Sequence, residues 1–290
     1  ALYMFGGEGK MGRGLFRYVW LGIIAASMMT GCAAKEVQPT KGTTPQPQPT
    51  NQAAQPPAAK VELTVSAAAS LTDALKEIQT AYEKKNGQIK INFNFGASGA
   101  LQQQIEQGAP ADLFFSAAAS NMRLLVDKQL IESSQHMNLL MNELVAVVPA
   151  DGKAAVQKLE DLSGSGVKHL AVGEPQTVPA GTYAKEALTN VKLWDSLQHK
   201  IVLGKDVRQV LTYVGTGNAE AGFVYKTDAL TSKSVKIAFS VNPNTYTPIV
   251  YPAGIVKATK HGKEAADFYA YLQSKEAQDV FVKYGFTIPQ

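Results

Sequence analysis

Three short runs of small and hydroxyl-bearing residues stand where an apolar strand pattern gives way to a helical one. Ser66-Ala67-Ala68-Ala69-Ser70 follows the apolar stretch Val61 to Val65 and leads into Leu71-Thr72-Asp73-Ala74-Leu75. Phe95-Gly96-Ala97-Ser98-Gly99-Ala100 follows a second strand pattern, and Val178-Pro179-Ala180-Gly181 precedes a third helix pattern beginning at Thr182. A helix start exposes backbone N–H groups without partners and the positive end of the helix dipole, so it holds an anion with no Lys or Arg. Together the three runs point to a site for small, fully ionised oxyanions.

The elements that must position these runs alternate along the chain. Strand patterns fall at Val61 to Val65, Ile89 to Phe95, Asp112 to Phe115, Leu144 to Val148, Leu170 to Val172, Lys200 to Leu203, Ala221 to Val224, Val235 to Phe239 and Pro248 to Ile255. Helix patterns fit between most of them, at Leu71 to Asn86, Ala100 to Gln107, Asn121 to Lys128, Leu159 to Leu162, Tyr183 to Thr189, Val207 to Gly215, Lys263 to Lys275 and Glu276 to Tyr284. Such alternation predicts α/β layers with mostly parallel sheets. Ligands of such sheets sit beyond the carboxyl ends of the strands, where Ser70, Ser98 and Ala180 all lie. Ser116-Ala117-Ala118-Ala119-Ser120 repeats the first run, but a serine before a helix is preferred for capping alone, and an N-cap role is the expectation for Ser120.

Of 290 residues, the first sixty do not read as folded protein. Lys10, Arg13 and Arg17 approach the apolar run Val19 to Met29, which is too short to span a bilayer and reads as a signal peptide. Ala1 is no natural initiator, so the start is expected at Met4 or Met11. The single cysteine, Cys32, closes Met29-Thr30-Gly31-Cys32. This resembles the bacterial lipobox, whose cysteine is lipidated and becomes the mature N-terminus; Met29 and Thr30 depart mildly from its usual residues. The alternative is an ordinary secretory signal with an incidental free thiol. Residues 33 to 60 are rich in Pro, Gln, Thr and Ala and bury too little apolar surface to fold, so they read as a tether. The formal net charge is only +4, and three of the basic residues lie in the leader, which is no nucleic-acid signature.

Enzyme readings find no support. Gly-x-Ser-x-Gly, His-Glu-x-x-His and P-loop motifs are absent, and His136, His169, His199 and His261 are scattered without triad or metal-ligand spacing. Met137, Leu139, Leu140 and Met141 read as core packing and crossover, not as a copper-binding methionine box.

Several runs appear in the order of one family. They are Ala67 to Ala74, Gly108-Ala109-Pro110-Ala111-Asp112-Leu113-Phe114, Val172-Gly173-Glu174-Pro175, Val178 to Leu188, and Ala221-Gly222-Phe223-Val224-Tyr225. Over residues 61 to 290 the chain resembles the molybdate-binding protein of bacterial ABC transporters. The resemblance implies a bilobal type II periplasmic-binding-protein fold, two α/β lobes on a two-stranded hinge, with residues 61–142 and 248–290 in one lobe and 143–247 in the other. It follows a leader of residues 1–31 and a tether of residues 32–60. By matching motifs the ligand residues fall on Ser70, Ser98, Ala180, Val207 and Tyr225, the serines through hydroxyl and backbone N–H, the tyrosine through its hydroxyl and the other two through backbone N–H. The implied ligand is molybdate or tungstate, with no cofactor and no directly bound metal cation. The implied partners are an ABC permease with its ATPase, and a membrane through a lipid anchor at Cys32; a monomer in the cell envelope is expected, on the outer face of the cytoplasmic membrane or in the periplasm. Acidic positions such as Glu77, Glu83, Glu132 and Glu160 are candidates for permease recognition.

The donor set suits that ligand on chemical grounds. A fully deprotonated dianion offers only acceptors, hydroxyls rotate to donate, and backbone N–H can only donate. Such a pocket rejects hydrogen phosphate, whose proton needs an acceptor, and must exclude sulfate by size. The alternatives are a sulfate- or thiosulfate-type binder, or a sensor or adhesion lipoprotein with no ligand on the same fold.

Overall fold

The computed structural model describes residues 60–290, through which ten strands alternate with helices. The strands are β1 (Val61–Ala68), β2 (Ile89–Gly96), β3 (Leu113–Phe115), β4 (Ile131–Asn142), β5 (Leu144–Pro149), β6 (Leu170–Gly173), β7 (Ile201–Gly204), β8 (Ala221–Tyr225), β9 (Val235–Ser240) and β10 (Ile249–Val256). The helices are α1 (Thr72–Lys85), α2 (Ser98–Glu106), α3 (Ala119–Asp127), α4 (Pro179–Asn190), α5 (Trp194–Leu197), α6 (Val207–Gly215), α7 (Lys226–Thr231), α8 (Gly262–Leu272) and α9 (Lys275–Lys283). The leader, Cys32 and the Pro-rich tether up to residue 59 lie outside the described residues.

Two five-stranded sheets form the centres of two lobes. One has the order β2-β1-β3-β10-β4 and the other β7-β6-β8-β5-β9. The chain passes from the first to the second between Asn142 and Leu144, and returns through residues 241–248 into β10. The expectation of mostly parallel sheets needs correction. In each sheet two strand pairs are parallel and two antiparallel, because β10 and β5, the strands that follow the crossings, run against their neighbours.

Apolar spacing explains most of the elements. In α6, Val207, Val210, Leu211 and Val214 recur at helical intervals and are buried. In β5, five consecutive apolar residues from Leu144 to Val148 are buried, as befits a strand covered on both faces. The twelve-residue β4 carries no such signal. Glu132 to Gln135 are all exposed, and the strand lies at the edge of its sheet, paired with β10 and bridged on its other side at Met141 to Thr287. The reading of Met137 to Met141 as core is therefore half right: Leu139 and Leu140 are buried, whereas Met137 is 44% exposed on the edge strand.

Candidate functional site

Four of the expected residues start helical turns that point at one place. Ala69, Ser70 and Leu71 make a single tight turn between β1 and α1, and Ser98 is the first residue of α2 after β2. Ala180 is the second residue of α4, behind Pro179, whose missing N–H costs nothing at a helix start. Val207 is the first residue of α6, where the Asp206 carboxylate caps the Gln209 N–H at 2.9 Å. At these positions backbone N–H groups have no acceptor within their own helix. Tyr225 ends β8.

All five residues line one cavity between the lobes, together with Ala68, Ala69, Gly96, Ala97, Ala117, Val178 and Pro179. It is small, with about 200 Å³ of empty space counting the part open to solvent. None of its lining residues is charged. Small residues bring the helix starts close. A Cβ on Gly181 would run into the Gly173 carbonyl, so α4 reaches its position against β6 only with glycine there.

The hydroxyls are buried and oriented. Ser70 is 3% exposed, and its Oγ lies 2.9 Å from Tyr251 Oη. Ser98 is fully buried, and its Oγ accepts from Ala117 N–H at 2.9 Å, which leaves its own proton free to point elsewhere. Tyr225 Oη is buried without any hydrogen-bond partner among the described residues. Burial pushes the ionisation of Tyr225 and Tyr251 well up, so both phenols stay protonated donors at neutral pH. An unpaired buried hydroxyl costs about 1–3 kcal/mol, a debt that an acceptor in the cavity would cancel.

One cation stands behind the site. Arg208 follows Val207 and reaches Asp73 Oδ2 at 2.7 Å, joining α6 of one lobe to α1 of the other. Its Nε also lies 2.7 Å from Asp228 Oδ1, but the N–H is not aligned on the carboxylate, so that contact is ionic and not a directed hydrogen bond. Burial opposes the Arg208 charge, yet the two carboxylates raise its pKa on balance. Burial pushes the Asp228 carboxyl up to about 6 against the pull of Arg208. The guanidinium is thus committed to protein carboxylates.

Three residues of this neighbourhood escape sequence reasoning. Tyr251 lies in an apolar strand and reads as core, Asn142 ends a strand with no apolar pattern, and Arg208, although it closes the Asp206-Val207-Arg208 segment around the Val207 donor, has no role that its own side chain announces. The expectation for Ser120 also fails. It is exposed within the first turn of α3, Ala118 holds the cap position, and Ser116 Oγ receives the Ala118 N–H at 3.1 Å. Ser116 follows a strand end, where a local turn wins over helix capping. Of the acidic surface candidates, Glu83 accepts from Ile91 N–H at 2.8 Å, and Glu77, Glu132 and Glu160 lie at the surface, the first two paired with Lys283 and Lys257. Among the described residues no cluster of His, Cys, Asp and Glu could hold a metal ion, and no helix is long and apolar enough to cross a membrane.

Comparison with known proteins places this geometry among relatives. The model of a family described as bacterial extracellular solute-binding protein matches residues 63–287. YvgL of Bacillus subtilis, named for an ABC transporter substrate-binding lipoprotein role, is 57% identical over 228 residues, 79% of this chain and 87% of the relative. The molybdate-binding protein ModA of Escherichia coli is 41% identical over 236 residues, covering 78% of this chain and 89% of the relative. The solved structure of the periplasmic molybdate-binding protein of Azotobacter vinelandii superposes with a TM-score of 0.72 at 27% identity, over 79% of this chain and all of that one.

Proposed function

Because the chain belongs to the bacterial extracellular solute-binding protein family, whose members bind solutes and are not enzymes, we propose that it captures molybdate, and with it tungstate, for delivery to an ABC importer. The observation that carries this reading is the donor set. Ser70, Ser98, Ala180, Val207 and Tyr225 bring hydroxyls and helix-start N–H groups to one small, uncharged cavity, with the Tyr225 hydroxyl left unpaired. A tetrahedral dianion supplies only acceptors, and charge-assisted hydrogen bonds to it are stronger than neutral ones. The 41% identity to a molybdate-binding protein supports molybdate over other oxyanions of the same charge.

The ligand bridges the lobes. Ser70 and Ser98 come from the lobe of β1 and β2, and Ala180, Val207 and Tyr225 from the lobe of β6 to β8, so the anion favours the closed arrangement by differential contact. The closed form is what a permease with its ATPase would recognise. Export follows from the leader, and lipidation of Cys32 would tether a monomer to the membrane surface through the Pro-rich segment. The name of the Bacillus subtilis relative supports the anchor.

Calorimetric titration of the purified protein with sodium molybdate, with sulfate and phosphate as competitors, tests the reading. Tight one-to-one binding is expected, undisturbed by excess sulfate and weakened by about 10- to 100-fold in Ser98→Ala. Silence toward molybdate, or full competition by sulfate, would overturn it.

A further inference from the structure

The hydroxyl of Ser70 is the end of a hydrogen-bond chain whose direction is fixed at its other end. Asn142 closes β4 where the chain crosses between the lobes, and its Oδ1 accepts from Glu143 N–H at 2.9 Å. That bond settles which amide atom is which, because only the oxygen can accept. Nδ2 therefore faces Thr227 Oγ1 at 2.9 Å and Tyr251 Oη at 3.2 Å, and its two hydrogens serve both. An amide nitrogen cannot accept, so Tyr251 Oη must be the acceptor in that contact. Tyr251 is fully buried, and among the described residues the other hydrogen-bond partner of its hydroxyl is Ser70 Oγ at 2.9 Å; the neighbouring Tyr225 hydroxyl lies outside hydrogen-bonding geometry. The phenolic proton goes there. Ser70 Oγ, having accepted it, turns its own proton away from Tyr251, toward the cavity that it lines.

We propose that Asn142 and Tyr251 are positioning residues that make Ser70 an obligate donor to the bound anion, and so select a fully deprotonated oxyanion against a protonated one. The inference rests on the reading of the cavity as an oxyanion site. Neither residue lines that cavity; both act through Ser70. Ser98 reaches the same state by a shorter route, because the Ala117 N–H already occupies its oxygen as acceptor. With both serine protons turned to the cavity and one acceptor site of each oxygen taken by Tyr251 or by the Ala117 N–H, the proton of a monohydrogen oxyanion is left at most the remaining lone pair of each, beside a proton that already faces it.

The chain can be reversed with almost no change of shape. In Asn142→Asp an acceptor oxygen takes the place of Nδ2 while the other oxygen still receives the Glu143 N–H. Tyr251 then donates to residue 142, Ser70 donates to Tyr251, and Ser70 presents only a lone pair to the cavity. The new carboxylate also repels a dianion, so its charge must be separated from its polarity. Tyr251→Phe does this by cutting the chain, after which Asn142→Asp exerts its charge alone.

The wild type, Asn142→Asp, Tyr251→Phe and the double variant would each be titrated with sodium molybdate and with hydrogen phosphate at neutral pH, after thermal melts establish folding. Asn142→Asp is expected to weaken molybdate by about 10- to 100-fold in the wild-type background, and by at least about tenfold less in the Tyr251→Phe background. The preference for molybdate over hydrogen phosphate should fall alongside. Equal losses in the two backgrounds, or an unchanged preference, would overturn the inference while leaving the molybdate reading intact. No binding of molybdate by the wild type would instead sink that reading and this inference with it. Should Asn142→Asp fail to fold, Tyr251→Phe alone decides: a Ser70 free to turn must relax the preference, and an unchanged ratio refutes the proposal.

Discussion

Tyr225 holds the least compensated polar atom of the site. Its hydroxyl is buried with no hydrogen-bond partner among the described residues, and its ring meets Tyr251 edge-on at 5.7 Å between centroids, so the phenol cannot swing away without losing that packing. Replacement by Phe keeps the ring and removes the orphan. Molybdate binding is expected to weaken by about 1.5–3 kcal/mol, the worth of a hydrogen bond to a charged group. The ligand-free protein should melt no lower than the wild type, and the melting shift produced by molybdate should shrink. Calorimetry and thermal melts read the two effects separately, and a variant that binds as tightly as the wild type would remove Tyr225 from the site. At this scale the sequence is legible where chemistry and position coincide. Ser70, Ser98 and Ala180 stand out because small residues between a strand and a helix have few other uses. Tyr251 and Asn142 do not, since a tyrosine in an apolar strand looks like core and a strand-end asparagine looks like a turn. Their roles arise from contacts 109 and 181 positions apart, which no local pattern records.

Elements are legible to the extent that burial is periodic. The helix pattern from Val207 to Gly215 coincides with α6, and the strand patterns coincide with β1, β2 and β5 to within a few residues. The exposed edge strand β4 and the six-residue α7 leave no periodic trace, the first because it buries little, the second because it is too short. Yet α7 supplies Asp228, which anchors the start of its own helix through the Tyr225 N–H at 3.3 Å and faces Arg208 of α6. Its carboxyl titrates at about 6 in the fold, above its ordinary value of 3.8, because burial favours the neutral form. The folded state therefore binds this proton more tightly than the unfolded chain. The resulting stabilisation is complete below about 4 and is lost as pH rises through about 6. Asp228→Asn removes this dependence. Denaturant unfolding at pH 4.5 and pH 7 should show the wild type gaining on the variant at the lower pH by on the order of 2 kcal/mol. A constant difference between the two proteins would show that Asp228 stays ionised throughout.

On the proposed reading the whole molecule works through the approach of its lobes, and the seam between them is built without slack. Across it Arg208 meets Asp73 at 2.7 Å, Tyr183 Oη donates to the Ala117 carbonyl at 3.3 Å, and Gly99 N–H donates to the Thr177 carbonyl at 2.9 Å. The last contact depends on the missing side chain. A Cβ on Gly99 would lie 2.7 Å from the Thr177 oxygen and 2.8 Å from its Cα, both backbone atoms that cannot step aside. Gly99→Ala thus acts differently on the two arrangements. In the first turn of α2 alanine is a better helix former than glycine by less than the interior value of about 1 kcal/mol, so the separate lobe loses no stability. On closure the methyl group meets the facing backbone, so the competent population falls and the apparent affinity falls with it. The variant is expected to melt at or above the wild-type temperature without ligand, and to bind molybdate about 10- to 100-fold more weakly. At equal fractional saturation its radius of gyration by small-angle X-ray scattering should stay larger than that of the wild type. Wild-type affinity together with wild-type compaction would mean that the lobes need not meet at Gly99 for the anion to be held, and the cavity would then have to be completed from one side.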